Sequence, residues 1–432
     1  MSLPTYSEYK DSRVSWLGRV PAHWEVKPLK HNLRLLTAKT DRRINPVALE
    51  NIESWSGRFV ATESEFQGEG IAFERNDILF GKLRPYLAKV LVTSAAGEAV
   101  GDFLVMRPNI TFQSKFAQYS MLNQSFIEIV DGSTFGSKMP RASWDFVSSI
   151  ALPTPPIAEQ AIIATFLDRE TAKIDALIAE QEKLIALLAE KRQATISHVV
   201  TRGLNPDVPM KDSGVAWLGK VPAHWKVLAA KRIATVFVPQ RNKPEINEVG
   251  NGICWATMEN VKQAFLTATS CWVSENARVN AGSRVLAAGA VIASCVGNFN
   301  VATINTVDVI INQQLQAFIP SAAINPEYLR YVVLISQPYF ELIGTAATLA
   351  YVNQQGFENL PIPLPPPSEQ NQILEALNCE LEIFDRIADD STYAIQLLKE
   401  RRNALITAAV TGQIDVRDSA AKIGVEEKTE AI

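Results

Sequence analysis

One stretch of this chain occurs twice. Residues 10–26 read KDSRVSWLGRVPAHWEV and residues 211–227 read KDSGVAWLGKVPAHWKV, with thirteen of 17 positions identical at an offset of 201. A second set of anchors follows: Pro153, Pro155, Pro156, Glu159 and Gln160 recur as Pro363, Pro365, Pro366, Glu369 and Gln370, now at an offset of 210. The second half therefore holds nine extra residues between its anchors, where the halves diverge apart from echoes such as Glu50-Asn51-Ile52 against Glu259-Asn260-Val261. A single unit repeated twice is a duplication and not a solenoid, which stacks several short repeats.

Each unit has two parts. The first, about 150 residues, mixes short apolar runs (Asp77-Ile-Leu-Phe80, Val291-Ile-Ala293, Val307 to Ile311) with Gly, Asn and Pro punctuation, the pattern of strands joined by turns. A few helical stretches such as Pro326 to Ser336 interrupt it, which gives a mixed α+β globule. The second part is a long helix. Pro155-Pro156 and Pro365-Pro366-Pro367 can lead into a helix but not sit within it, and Glu159 and Glu369 then meet the positive end of the dipole. Apolar residues follow at spacings of three and four from Ile163 to Val199, among them Leu177, Leu184 and Leu188, and from Ile373 to Ile406, among them Leu381 and Ile387. Gly203 and Gly412 suit left-handed caps. A helix of about 45 residues is roughly 67 Å long, more than one domain covers, so its stripe calls for its own repeat as partner in a coiled coil.

The 432 residues allow two or three domains with filled cores, and 47% apolar with 20% charged residues is a globular composition. No apolar run spans a bilayer and the N-terminus lacks a signal-peptide core, so a cytoplasmic protein is expected. Cys254, Cys271, Cys295 and Cys379 show no metal or redox spacing and read as reduced, small apolar residues. The net charge of −4 is uneven: the two helical segments and the C-terminal tail carry −8 together, which leaves +4 on the remainder. Lys27 to Arg43 holds six basic residues and one acid, and Lys226 to Lys243 holds five and none. Two such stretches at matching places favour phosphate-binding surfaces over merely solvated faces.

The repeated Lys-Asp-Ser-x-Val-x-Trp-Leu-Gly-x-Val-Pro-x-His-Trp opening, the Pro-Pro-x-x-Glu-Gln before each long helix, and the ending Ala-Val-Thr-Gly-Gln-Ile-Asp-Val (409–416) resemble the specificity subunits of Type I restriction–modification systems. The resemblance covers Tyr9 to Val416. It implies two target-recognition domains joined by two antiparallel spacer helices, each domain reading one half of a split double-stranded DNA target. It also implies modification (methyltransferase) subunits that carry S-adenosylmethionine and restriction (translocase and nuclease) subunits that use ATP and Mg as partners, with no cofactor in this chain. The target sequence does not transfer, because the reading domains are the divergent part.

Candidate contacts are sought on that footing. Asp77 to Tyr86 reads as a strand running into a Gly turn, with Lys82, Arg84 and Tyr86 beyond it; Arg forks onto guanine and both cations suit phosphate. Its counterpart, Ser294 to Asn300, offers Asn298 and Asn300, which suit adenine edges but are also ordinary turn residues. The polar loop Gly132 to Arg141 supplies Ser133, Lys138 and Arg141, and its counterpart Gly344 to Asn353 supplies Asn353. Asn312-Gln313-Gln314 is equally a reader or an internal network. Trp16, Trp24, Trp217 and Trp225 recur identically with His23 and His224. A base reader should differ between halves that read different sequences, so these are taken as anchors of each domain rather than stacking platforms.

Catalytic signatures are missing: no Asn-Pro-Pro-Tyr/Phe, no Walker A loop, no Pro-Asp…Glu-x-Lys cluster. The chain is therefore expected to be non-catalytic by itself; the rival readings are a self-contained DNA enzyme and a scaffold that binds only protein. The expected architecture is α+β with a pseudo-two-fold repeat: target-recognition domains at 1–155 and 204–365, antiparallel coiled-coil spacer helices at 156–203 and 366–412, and an acidic, flexible tail at 413–432.

Overall fold

The paired prolines do lead into two long helices, Ile157–Arg202 and Pro367–Val410, in a computed structural model that describes residues 4–42, 44–63, 68–134, 139–345 and 350–418. Gly203 and Gly412 end them, each at φ +75°. That left-handed turn is open to glycine at no steric cost. The chain divides into two units. One comprises residues up to Glu182 together with those from Thr392 onward, and the other is Lys183–Ser391. Each long helix thus gives one end to each unit.

In the first unit, one sheet has the strand order Leu33–Leu36, Phe103–Pro108, Ile78–Gly81, Val90–Val92, all antiparallel. A second sheet runs Lys39–Thr40, Gly70–Phe73, Gly97–Val100, Pro46–Val47, its last pair parallel. Ile78–Gly81 is buried along its length, a continuous apolar run that needs cover on both faces. Helices Ser114–Leu122 and Gln124–Gly132 supply part of that cover through Phe116 and Phe126. Ile163 and Leu167 from the start of the first long helix join the same core, with Ile406 and Val410 from the end of the second.

The second unit repeats the plan. Its larger sheet runs Ala234–Phe237, Leu315–Pro320, Val291–Ser294, Ala302–Asn305, Phe265–Leu266, and its smaller one Trp272–Val273, Ile253–Ala256, Val309–Ile311. Here the end of the first long helix (Ile196, Val200) shares a core with the start of the second (Ile373, Leu377, Leu381). Start packs with end in both units, so the helices pair antiparallel. The weak Glu-Asn echo also finds its reason. The side chains of Asn51 and Asn260 accept from the Ala48 and Thr257 N–H groups at 2.9 and 2.8 Å, closing the same short turn after Pro46–Val47 and after Ile253–Ala256.

Two expectations need amendment. The stripe positions Leu177, Leu184 and Ile387 are more than a third exposed, so part of each expected seam faces outward. Of the segment read as a tail, residues 413–418 are folded: Val416 is buried in the first unit's core and the Asp415 N–H donates to the Pro4 carbonyl at 2.7 Å. Residues 419–432 lie outside the described residues. No described helix is long and apolar enough to cross a membrane.

Candidate nucleic-acid interface

The repeated tryptophans are structural. Trp24 and Trp225 are fully buried in the two cores, and Trp16 and Trp217 pack against them. In the first unit Glu159, in the first turn of its helix, is the hub. Its Oε1 accepts from the Tyr6 hydroxyl at 2.7 Å and the Trp24 indole N–H at 3.0 Å, and Oε2 lies 2.8 Å from His23 Nε2. Burial and the Glu159 carboxylate push the Tyr6 phenol far above its ordinary value. Gly412 closes over this anchor, and a Cβ there would meet Pro21 at 2.4 Å and Trp24 at 3.1 Å. In the second unit Glu369 Oε2 meets His224 Nε2 at 2.8 Å and Gly203 lies over Trp225, but the Trp225 indole N–H has no hydrogen-bond partner among the described residues. The Gln of each Pro-Pro-x-x-Glu-Gln stitches its helix to the adjacent domain. Gln160 accepts from Gln113 N–H (2.8 Å) and donates to the Thr111 and Pro155 carbonyls, and Gln370 does the same with Asn325, Ala323 and Pro365.

With the duplicated residues used as mounts, the divergent loops are what remains for recognition. In the first unit the structure joins two loops that the sequence kept apart. Leu83 pairs with Arg141, the Arg84 N–H donates to the Pro140 carbonyl at 2.9 Å, and the Ala142 N–H donates to the Lys82 carbonyl at 2.8 Å. Lys82, Arg84, Tyr86 and Arg141 thus share one tip. Asp102 sits behind it, 2.9 Å from the Arg141 guanidinium and 3.7 Å from Lys82 Nζ. One acid against three cations leaves the tip positive. Arg84 is exposed, makes no ion pair among the described residues, and holds a left-handed backbone (φ 51°, ψ 62°). Tyr86 is exposed beside it.

The second unit makes the same three contacts: Val296 pairs with Tyr351, the Gly297 N–H donates to the Ala350 carbonyl at 2.8 Å, and the Val352 N–H donates to the Cys295 carbonyl at 2.9 Å. By these contacts Gly297 stands where Arg84 does and Tyr351 where Arg141 does. Tyr351 is exposed and was not singled out from the sequence, since only the loop pairing aligns it with Arg141.

Other expected residues fall differently. Asn298 accepts from the Asn300 N–H at 3.0 Å, and Asn353 caps the short helix Gln354–Glu358 by accepting from Gly356 N–H at 3.0 Å; both carbonyl oxygens therefore serve turn geometry, leaving the amide N–H groups. The Ser133 hydroxyl donates to the Val130 carbonyl at the end of its helix. Lys138 lies outside the described residues. Asn312-Gln313-Gln314 is a network: Gln313 donates to the Gln240 and Arg241 carbonyls, and Asn312 accepts from the Gln314 N–H. In the basic stretches, Lys27 pairs with Glu25 and Lys39 with Glu69, while Arg34 and Arg42 are exposed.

Residues 224–386 match the family described as Type I restriction modification DNA specificity domain. The Type I restriction enzyme MjaVIII specificity subunit of Methanocaldococcus jannaschii is 23% identical, over 93% of this chain and 95% of that protein. A chain solved in work on complex assembly and conformational transition of the type I R-M system superposes with a TM-score of 0.66 at 18% identity, covering 90% of this chain and 98% of the other. The HsdS subunit from Thermoanaerobacter tengcongensis gives 0.53 at 17% identity, covering 91% and 98%. These two superpositions speak for the fold.

Proposed function

We propose that this chain is a specificity subunit of a Type I restriction–modification system and that it reads a bipartite double-stranded DNA target, one half with each unit. The observation that carries this reading is the pair of tips. The same three backbone contacts hold both, yet one presents Lys82, Arg84 and Arg141, and the other presents Gly297 and Tyr351 with Cys295 buried beneath them. Identical mounts with different side chains are what two independent readers on one duplicated frame require. Cations hold phosphates and fix register, while arginine, tyrosine and amide groups meet base edges.

In this reading the chain itself is non-catalytic and cytoplasmic, and presents the site to methyltransferase and restriction subunits, which bring S-adenosylmethionine, ATP and Mg. The helices offer support for protein partners. Leu177 and Leu397 are exposed in the first unit, and their repeat-related counterparts Ile387 and Leu187 are exposed in the second. A duplicated apolar pair suits two copies of one partner.

The test exchanges residues 27–150 for the corresponding segment of a relative and selects bound sequences from a random duplex pool. One half-site should change and the other persist; joint change of both would overturn independent reading.

A further inference from the structure

A recess in the first unit carries a group that nothing in the fold explains. A pocket of about 360 Å³ is lined by Lys39, Thr40, Arg42, Phe73, Ala72 and Glu98, among others. Glu98 is only 2% exposed, and its Oε2 is buried with no hydrogen-bond partner among the described residues. The strand that bears it, Gly97–Val100, pairs parallel with Pro46–Val47 and antiparallel with Gly70–Phe73. The side chain lies against Gly70, where an added Cβ would stand 3.1 Å from Glu98 Cβ and 3.3 Å from Cγ. A larger residue there would take the space the carboxyl arm uses.

The repeat shows that the frame does not need this acid. In the second unit the equivalent strand, Val309–Ile311, pairs parallel with Ile253–Ala256, the strand before the turn closed by Asn260. Matching Val47–Ala99 with Ala256–Ile311 sets Glu98 against Ile310. Ile310 is buried in an apolar cluster with Trp255 and Val273. One frame thus carries an ordinary small core in one unit and a buried carboxyl with an unpartnered oxygen in the other. A buried acceptor without a donor costs stability, so a position that can hold isoleucine retains glutamate against the interest of folding alone.

We propose that Glu98 reads a DNA base through its exocyclic amino group, N4 of cytosine or N6 of adenine, within the half-site assigned above to the first unit. The inference rests on that two-half reading. A carboxyl oxygen accepts from such an amino group and rejects the carbonyl edge of guanine or thymine. The surroundings fit a polyanion. Lys39 and Arg42 are exposed, and the 2.8 Å pair between Lys39 and Glu69 is exposed on both sides and readily exchanged for phosphate. Lys39 and Arg42 line the same recess as Glu98, so a backbone phosphate held by them brings a base edge to its mouth.

The test selects from a random duplex DNA pool with the full chain, comparing wild type, Glu98→Gln, Glu98→Ile and the double variant Lys39→Ala/Arg42→Ala. Glu98→Gln and Glu98→Ile should lose roughly tenfold or more in preference at one base pair of one half-site and leave the other half-site as it is. The identity of that base pair tells cytosine from adenine. Glu98→Ile should also melt at a higher temperature, which shows that specificity was lost from a well-folded chain. The double variant should weaken binding to all sequences alike and lower the salt slope by up to about two. Unchanged preference at every position in both Glu98 variants, or a loss spread over both half-sites, overturns the pocket. Were the wild type to select no split sequence at all, the two-half reading would fail first and take the pocket with it.

Discussion

Arg402 on the second long helix donates through Nε to Oδ1 of Asp175 on the first at 3.0 Å, and the Arg402 side chain is buried and that of Asp175 largely so. The repeat places Arg192 against Asp385 in the other unit, each partner displaced by 210 residues, but that pair is exposed. The difference lies in what surrounds the pair. Arg402 also donates to the Trp55 and Ser56 carbonyls at 2.7 and 3.3 Å, and Arg58 reaches the second oxygen of Asp175 at 2.9 Å. A loop of the first domain is thereby strapped to both helices, with Trp55 held in a left-handed conformation (φ 63°).

The two pairs should respond very differently to the same change. Arg402→Met leaves a largely buried carboxylate and two carbonyls without their donor and should cost about 3 kcal/mol, the low end for a broken buried pair because Arg58 stays. Arg192→Met removes an exposed pair and should cost under about 1 kcal/mol. Urea denaturation of the two variants decides it, and equal losses would mean that burial of the first pair contributes nothing.

Tyr6 tests the anchor in the same way. Its hydroxyl donates to a buried carboxylate, so Tyr6→Phe should lose about 1.5–3 kcal/mol, as is usual for a bond to a charged group. His23 and Trp24 keep Glu159 engaged, so the chain should still fold. A melting temperature equal to that of the wild type would make the hydroxyl dispensable.

The parts legible in the sequence were those fixed by local periodicity and by exact recurrence: the helices, their glycine ends, and the tryptophans as mounts. Helix length called only for a coiled-coil partner, and the antiparallel direction came from the family resemblance. The outward-facing Leu177 and Ile387 were not legible, because a stripe of apolar residues records amphipathicity without saying how wide the covered face is. Nor was the role of the Gln in Pro-Pro-x-x-Glu-Gln, whose partners lie far away in sequence at Thr111 and Ala323. The tip that joins Lys82 to Arg141 and Cys295 to Tyr351 depends on pairing between distant loops, so Tyr351 was missed, and Asn298 and Asn353 were valued for chemistry that turn geometry partly uses. Glu98 gave no signal at all, since one acid in a short strand is unremarkable until its burial and its counterpart Ile310 are seen.

Alkaline pH should destabilise this protein through buried phenols and one thiol. Burial is the first cause holding Tyr6, Tyr119 and Tyr328 well above their ordinary value, and it pushes the Cys295 thiol up to about 11. In each case the folded state keeps a proton that the unfolded chain releases near pH 10 for tyrosine and about 8.5 for cysteine. Stability from these groups is therefore complete at neutral pH and is lost progressively as pH rises above about 9. Phenolate absorbance should then rise in two stages, exposed tyrosines first and Tyr6, Tyr119 and Tyr328 only with unfolding. A single smooth titration of all nine tyrosines in a folded chain would contradict this.

Arg84 offers the sharpest separation of folding from recognition. A left-handed backbone costs a residue with a side chain about 1–2 kcal/mol, and the other unit meets the same geometry with Gly297 at φ 71°. Arg84→Gly should therefore remove the strain, at the expense of extra freedom in the unfolded chain, and shift stability by no more than about 1 kcal/mol. Arg84→Ala keeps the strain and should be the less stable of the two. For DNA the order disappears: either variant removes one exposed cation, so both should weaken binding together and flatten the plot of log K against log salt by about one. If Arg84 reads a base as well as a phosphate, both variants also relax preference at one position of the first half-site, without change in the second. Binding curves at several salt concentrations, with melting measured in parallel, check both limbs. Variants that bind with the wild-type slope and preference would reduce Arg84 to a strained turn with no part in recognition.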